Sequence, residues 1–197
     1  MKQLLMSIQP QHLYNILTGK KTLEIRKQIP KGFKGWVNLY CTIGKPYIYN
    51  FANLDYGLSN EIINAKYHDL LNGKVVARFW FDEYDMVDIQ RTTRTNADYS
   101  IKDSKGITHR TVIKRVVNYF YDNPKGACVS DEQLTKYGCG QGLYAMHIKS
   151  LEIFDKPKAL SEFRNIGRYN LKGKQLKHVW KEVTKAPQNF MYVEVEE

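Results

Sequence analysis

The chain has 197 residues, enough for one well-buried domain and cramped for two. With 43% hydrophobic and 25% charged residues it is neither a disordered tail nor a fibrous protein. Thirty Lys and Arg against twenty Asp and Glu leave a formal charge of +10, a balance that favours polyanionic partners, nucleic acid ahead of anionic lipid.

The first segment, Leu4 to Ile8, reads as a short strand, and Pro10 then opens a helix whose apolar residues Leu13, Ile16 and Leu17 recur at helical spacing until Gly19 stops it. Thr22-Leu23-Glu24-Ile25-Arg26 alternates polar and apolar, the period of a strand, which puts Glu24 and Arg26 on one face. Trp36 to Cys41 makes a further strand of aromatic and branched residues. From Gly44 to Gly73 tyrosines are scattered among Asn and Gly without a sustained period, which predicts an ordered excursion with at most a short helix. Lys74 to Phe81 is the strongest strand signal, continuing with looser alternation towards Val87.

Arg91 to Arg110 is polar and basic, the composition of a loop or irregular hairpin. Ile113, Val116, Val117 and Phe120 then fall at i, i+3, i+4 and i+7, which predicts a helix ending before Asn123-Pro124. Ser130 to Gln133 is a capping box for a short helix with Leu134 and Tyr137 inside and Gly138 as its stop. Gly142 to Asp155 alternates as one long strand ended by Pro157, and a short helix follows around Leu160 to Phe163. Arg164 to Lys185 is the most basic stretch, with Leu171, Leu176 and Val179 spaced for a helix whose other face carries Lys174, Lys177 and Lys181. A proline turn, Ala186-Pro187-Gln188-Asn189, leads into a last strand. Short strands with helices inserted among them predict an α+β fold with a curved or closed sheet.

Three cysteines without a CxxC pair make no disulfide framework, so a reducing compartment is expected. No apolar run reaches about 18 residues and the N-terminus turns polar by Gln9, which points to the cytoplasm and away from a membrane. The five histidines lack metal-ligand spacing, and no Walker, Rossmann or nucleophile-elbow motif is present, so neither a metal nor a cofactor is expected.

Four segments resemble the ASCH domain family, whose fold is a small β-barrel related to the PUA domain. Ser7-Ile8-Gln9-Pro10 is similar to its opening strand and turn, and Gly19 to Lys27 to its signature G-x-K-x-x-E-x-R. Gly73 to Phe79 resembles its core strand G-x-V-V-G-x-F, and Ala186 to Tyr192 its closing P-Q-x-F-x-Y. The resemblance implies one ASCH/PUA-like domain over residues 1–197, enlarged by insertions at about 44–72, 91–125 and 164–185. Relatives of this size are often phage- or prophage-encoded. The resemblance further implies a cleft at the signature loop that binds RNA or other nucleic acid. One small branch is similar to an amidohydrolase that deacylates N4-acetylcytidine through a Lys, a Thr and a Glu. Lys21 matches that Lys, but Glu24 stands in the place of the Thr, so the hydroxyl nucleophile is missing.

The residues themselves put one acceptor, Glu24, between the donors Lys21 and Arg26, a set that holds a phosphate or an exocyclic amine, or else forms a structural ion pair. Thr22 and Lys27 flank it, and Trp36, Tyr40 and Phe190 are candidates for stacking on a base, with Gln188 in the closing turn. Lys174, Lys177 and Lys181 are candidates for tracking a phosphate backbone. The reading that follows is a binding module for RNA or for a modified or unpaired nucleotide. The alternatives are a hydrolase of a nucleobase amide or an RNA phosphodiester, with Lys21 and Glu24 catalytic, and a phage protein that blocks a host factor.

Overall fold

The computed structural model describes residues 2–51, 55–63, 69–94, 100–102, 108–110, 116–168 and 178–195. In chain order the elements are β1 (Gln3–Ile8), α1 (Pro10–Leu17), β2 (Leu23–Arg26), β3 (Gly35–Cys41), β4 (Tyr47–Asn50), β5 (Tyr56–Ser59), β6 (Asp69–Leu70), β7 (Val75–Phe81) and β8 (Tyr84–Val87). They continue as β9 (Ile89–Arg94), β10 (Ser100–Lys102), β11 (Thr108–Arg110), β12 (Val116–Tyr121), α2 (Asp131–Gly138), β13 (Leu143–His147), β14 (Lys149–Lys158), β15 (Phe163–Arg168), β16 (His178–Glu182) and β17 (Phe190–Val195), with a 3-10 turn at Leu160–Glu162. This is an α+β fold dominated by strands. No helix among the described residues is long and apolar enough to cross a membrane.

The largest sheet runs β14-β7-β3-β1-β17-β15-β16. All its described pairings are antiparallel except β1 with β3, a parallel pair whose crossover carries α1 and β2. All six residues of β1 are buried, as a strand in mid-sheet requires. Leu4, Met6 and Ile8 enter the main core with Leu13 and Ile16 of α1 and Phe79 and Phe81 of β7, while Leu5 packs on the other face with Phe163 and Val193. A second sheet, β2-β13-β8, shares its own core with α2 through Leu23, Ile25, Leu143, Ala145 and Leu134.

Several local expectations are corrected. The segment read as a helix over Ile113 to Phe120 is, from Val116 on, strand β12, paired residue for residue with β9 from Val116–Arg94 to Tyr121–Ile89. Its run of branched and aromatic residues suits a strand, and a partner strand is at hand. In the basic stretch, Phe163–Arg168 and His178–Glu182 are paired strands and not a helix; residues 169–177 lie outside the described residues. The 44–72 excursion builds a small sheet, β5-β4-β6, anchored in the main core by Ile48, Tyr56 and Leu71. The strand expected over Gly142 to Asp155 is two strands in two sheets, β13 and β14, meeting at Ile148 beside a left-handed Ser150 (φ +46°), and β14 runs on through Pro157. The continuation of Lys74 to Phe81 towards Val87 likewise divides, β7 into the large sheet and β8 into the second. The polar stretch from Arg91 does contain a hairpin, β10 with β11.

Candidate functional site

Gly19, in the left-handed region at φ +71°, ends α1, and Lys21 N donates to Asn15 O at 2.8 Å, turning the chain back against the helix. The Lys21 side chain therefore points inward and is only 3% exposed. Thr22 N and Leu23 N both donate to Gly126 O, at 2.9 and 3.1 Å, which fixes the turn after α1 to the segment before α2. On β2, Leu23 and Ile25 join the apolar cluster under α2, leaving Glu24 and Arg26 together, 5% and 9% exposed.

Three buried charges need partners, and they have them. Lys21 Nζ donates to the Ala127 carbonyl and lies 3.5 Å from Glu24 Oε2. Arg26 Nε is 3.1 Å from Glu24 Oε1, an ion pair whose N–H is not aligned for a hydrogen bond. Arg26 Nη2 donates to Ser7 O at 2.6 Å and Nη1 to Asn189 Oδ1 at 3.4 Å. Each Glu24 oxygen thus faces one cation and keeps acceptor capacity for a ligand. Strand β1, the segment from Lys21 to Arg26 and the turn before β17, far apart in sequence, meet at Arg26.

This cluster lines a cavity of about 610 Å³ between α1, β2 and α2. Four cationic side chains, Lys21, Arg26, Lys27 and Lys136, share it with one carboxylate, Glu24. At its rim Lys27 Nζ sits 5.2 Å from the centre of the Tyr137 ring, a cation–π contact across the opening. His12 of α1 also lines the cavity, and its buried Nδ1 has no hydrogen-bond partner among the described residues. Burial, reinforced by Lys21 and Arg26 and opposed by Glu24, lowers the His12 pKa from its ordinary 6.5, so the imidazole is neutral near pH 7.

Lys21, Glu24, Arg26 and Lys27 come together as wall residues of one cavity. Thr22 is exposed beside them and lines neither cavity; its Oγ1 packs where a Cβ on Gly126 would stand. Trp36 lies elsewhere on the large sheet, edge-on to Trp80 at 5.4 Å and 4.3 Å beneath the Arg78 guanidinium. Tyr40 and Gln188 line a separate cavity that shares Ser7 with the first. Phe190 packs against the main core, and Lys181 is exposed on β16 and lines neither cavity. Lys174 and Lys177 lie outside the described residues.

The sequence reading missed His12, Lys136 and Asn189. His12 carried no motif, but it sits one position before Leu13 on a helix whose apolar stripe was legible, so the helix itself carries it to the cavity. Tyr137, expected inside, is 42% exposed at the rim, and the buried residues of α2 are Leu134 and Gly138. The stop of α2 is also displaced: Gly138 is its last residue, packed so closely on Tyr121 that a Cβ would fall 2.2 Å from the ring, and Cys139 takes the left-handed cap at φ +50°. Compared with known proteins, the chain matches no protein-family model, no curated protein and no solved structure.

Proposed function

We propose that the chain is a nucleic-acid-binding module of ASCH/PUA-like type that takes an unpaired or modified nucleotide, RNA first among candidates, into the cavity of Lys21, Glu24 and Arg26. The observation that carries this reading is a buried carboxylate fixed between two cations where three family-like segments converge. Glu24 is a positioned acceptor for an exocyclic amine or ring N–H of a base. Lys27 and Lys136, nearer the opening, supply the charge that a phosphate needs, and a cavity of about 610 Å³ is of ligand-binding size. The excess of cations over carboxylates in the wall disfavours a cationic ligand.

Both Glu24 oxygens are engaged by cations, which suits holding a ligand better than taking up a proton, so binding is preferred to hydrolysis. The test is fluorescence anisotropy with labelled single- and double-stranded RNA and DNA at two salt concentrations, the strands being recovered and checked for length and base modification. A preference for one form beyond a charge-matched heparin control, with the strand unaltered, supports the module. Replacing Lys27 and Lys136 by Ala should flatten the salt dependence by about 0.7 log units for each single-strand phosphate that is no longer neutralised. Glu24→Gln should instead change the preference among bases. Altered strands would transfer the site to the hydrolase reading, and binding no better than heparin would remove nucleic acid from the site.

A further inference from the structure

The second cavity, of about 850 Å³, lies between the end of β3, the segment before β7 and the turn leading to β17. It shares one residue with the first cavity, Ser7, and the shared wall is firmly held. Ser7 Oγ donates to Pro187 O at 2.7 Å, the Ser7 carbonyl accepts from Arg26, and Asn189, which receives Arg26 Nη1, donates in turn to Gln28 O at 3.5 Å. Exposed Gln188 stands on this wall facing the second cavity, while Arg26 of the first cavity braces it from behind. The two cavities are therefore neighbours across a single turn of chain.

Chemically the second cavity continues the first. Lys74 and Lys185 line it and belong to no ion pair among the described residues. Its one carboxylate, Glu162, is committed to its own turn, where Oε1 accepts from Ala159 N at 2.6 Å. Leu160 and Pro157 give it apolar surface, and Ile43, 82% exposed, adds to it. Unpaired cations beside apolar surface are what an anionic backbone with a flat base requires.

We propose that the second cavity is the adjoining subsite of one nucleic-acid strand, Lys74 and Lys185 holding the phosphate next to the nucleotide seated at Glu24. The ligand is then a single-stranded segment of two or more nucleotides that crosses the Pro187–Asn189 turn, and a mononucleotide fills half of the site. This rests on the nucleic-acid reading above.

The experiment compares affinities by calorimetry for the four nucleoside 5′-monophosphates, and for mixed-sequence dinucleotides and tetranucleotides, with polyglutamate as a second polyanion. Wild type and Lys74→Glu/Lys185→Glu are measured side by side, their folding being checked by thermal melts. The tetranucleotide should bind wild type at least about tenfold more tightly than the monophosphates, through effective concentration at the second subsite. The double variant should bind it only as tightly as a monophosphate. If monophosphates bind but added length brings no gain, or the gain survives in the double variant, the second subsite is refuted while the first cavity's reading stands. If no nucleotide binds wild type, the nucleic-acid reading falls and takes this inference with it. Polyglutamate competing as strongly as the tetranucleotide, and losing its hold in the double variant, would overturn the assignment in favour of an acidic peptide.

Discussion

A carboxylate buried between two cations is held by charge balance, and the balance makes the three residues unequal. Removing Arg26 leaves Glu24 neutralised by Lys21, whereas removing Glu24 leaves two cations facing each other out of water. Arg26→Met is therefore expected to cost about 3 kcal/mol, the lower end of the range for breaking a buried pair, and Glu24→Leu about 5 kcal/mol. Urea unfolding of both variants checks this, and a smaller loss in Glu24→Leu would overturn the charge-balance account. His12 adds a pH dependence of known sign. Its folded pKa lies below 6.5, so the unfolded chain binds the proton more readily, and the stabilising contribution is complete above about pH 6.5 and fades as pH falls through the folded value. Lys21, Arg26 and Glu24 are the charged groups that act on it, the two cations lowering the pKa and the carboxylate raising it. His12→Asn should therefore lose less stability than wild type between pH 8 and pH 5, read as the shift in urea midpoint; equal losses would show that the imidazole does not titrate in this range.

Elements position these residues through a few close approaches, among them the junction of the turn after α1 with residue 126. Gly126 has φ +90°, and a Cβ there would fall 2.2 Å from Thr22 Oγ1. Gly126→Ala is thus expected to cost about 1–2 kcal/mol from the left-handed backbone and about 1–3 kcal/mol more from the clash. Thr22→Ala in the same chain should recover the second part only, because the Cβ would then have 3.6 Å to the Thr22 Cβ while the backbone stays strained. Additive effects in this double-mutant cycle would contradict the contact. Elements also mark where the sequence was legible. The strand at Glu24 and Arg26 could be read because alternation there puts Leu23 and Ile25 into the apolar cluster under α2 and pairs Glu24 with Arg26. The stretch Val116–Tyr121 misled because four apolar positions satisfy a helical period over eight residues, whereas the deciding fact, a partner strand at Ile89–Arg94, is non-local. His12 and Asn189 were illegible for the same reason, since their roles come from the cavity and from Arg26 across 163 positions of chain.

At the scale of the molecule, the large sheet joins distant parts of the chain. Strand β17 lies between β1 and β15, pairing Gln3 with Val193 on one edge and Phe163 with Val195 on the other. Val193, 1% exposed, closes the cluster that holds Leu5 and Phe163. The turn feeding this strand also supplies Asn189 to Arg26 and Pro187 to Ser7, so sheet and site are completed by one segment. A chain ending at residue 185 would leave β1 and β15 with unpaired ladders, open that apolar cluster and lose part of the wall between the two cavities. Its thermal unfolding is expected to lose the single cooperative transition, and a synthetic peptide of residues 186–197 added in excess should restore it by pairing as the missing strand. A truncated chain that melts as sharply as the full one, with or without the peptide, would mean that the sheet is stable without its interior strand. The same pair of samples bears on the proposed function, because, on the nucleic-acid reading, restoration of the melt should bring back oligonucleotide binding at the same peptide concentration.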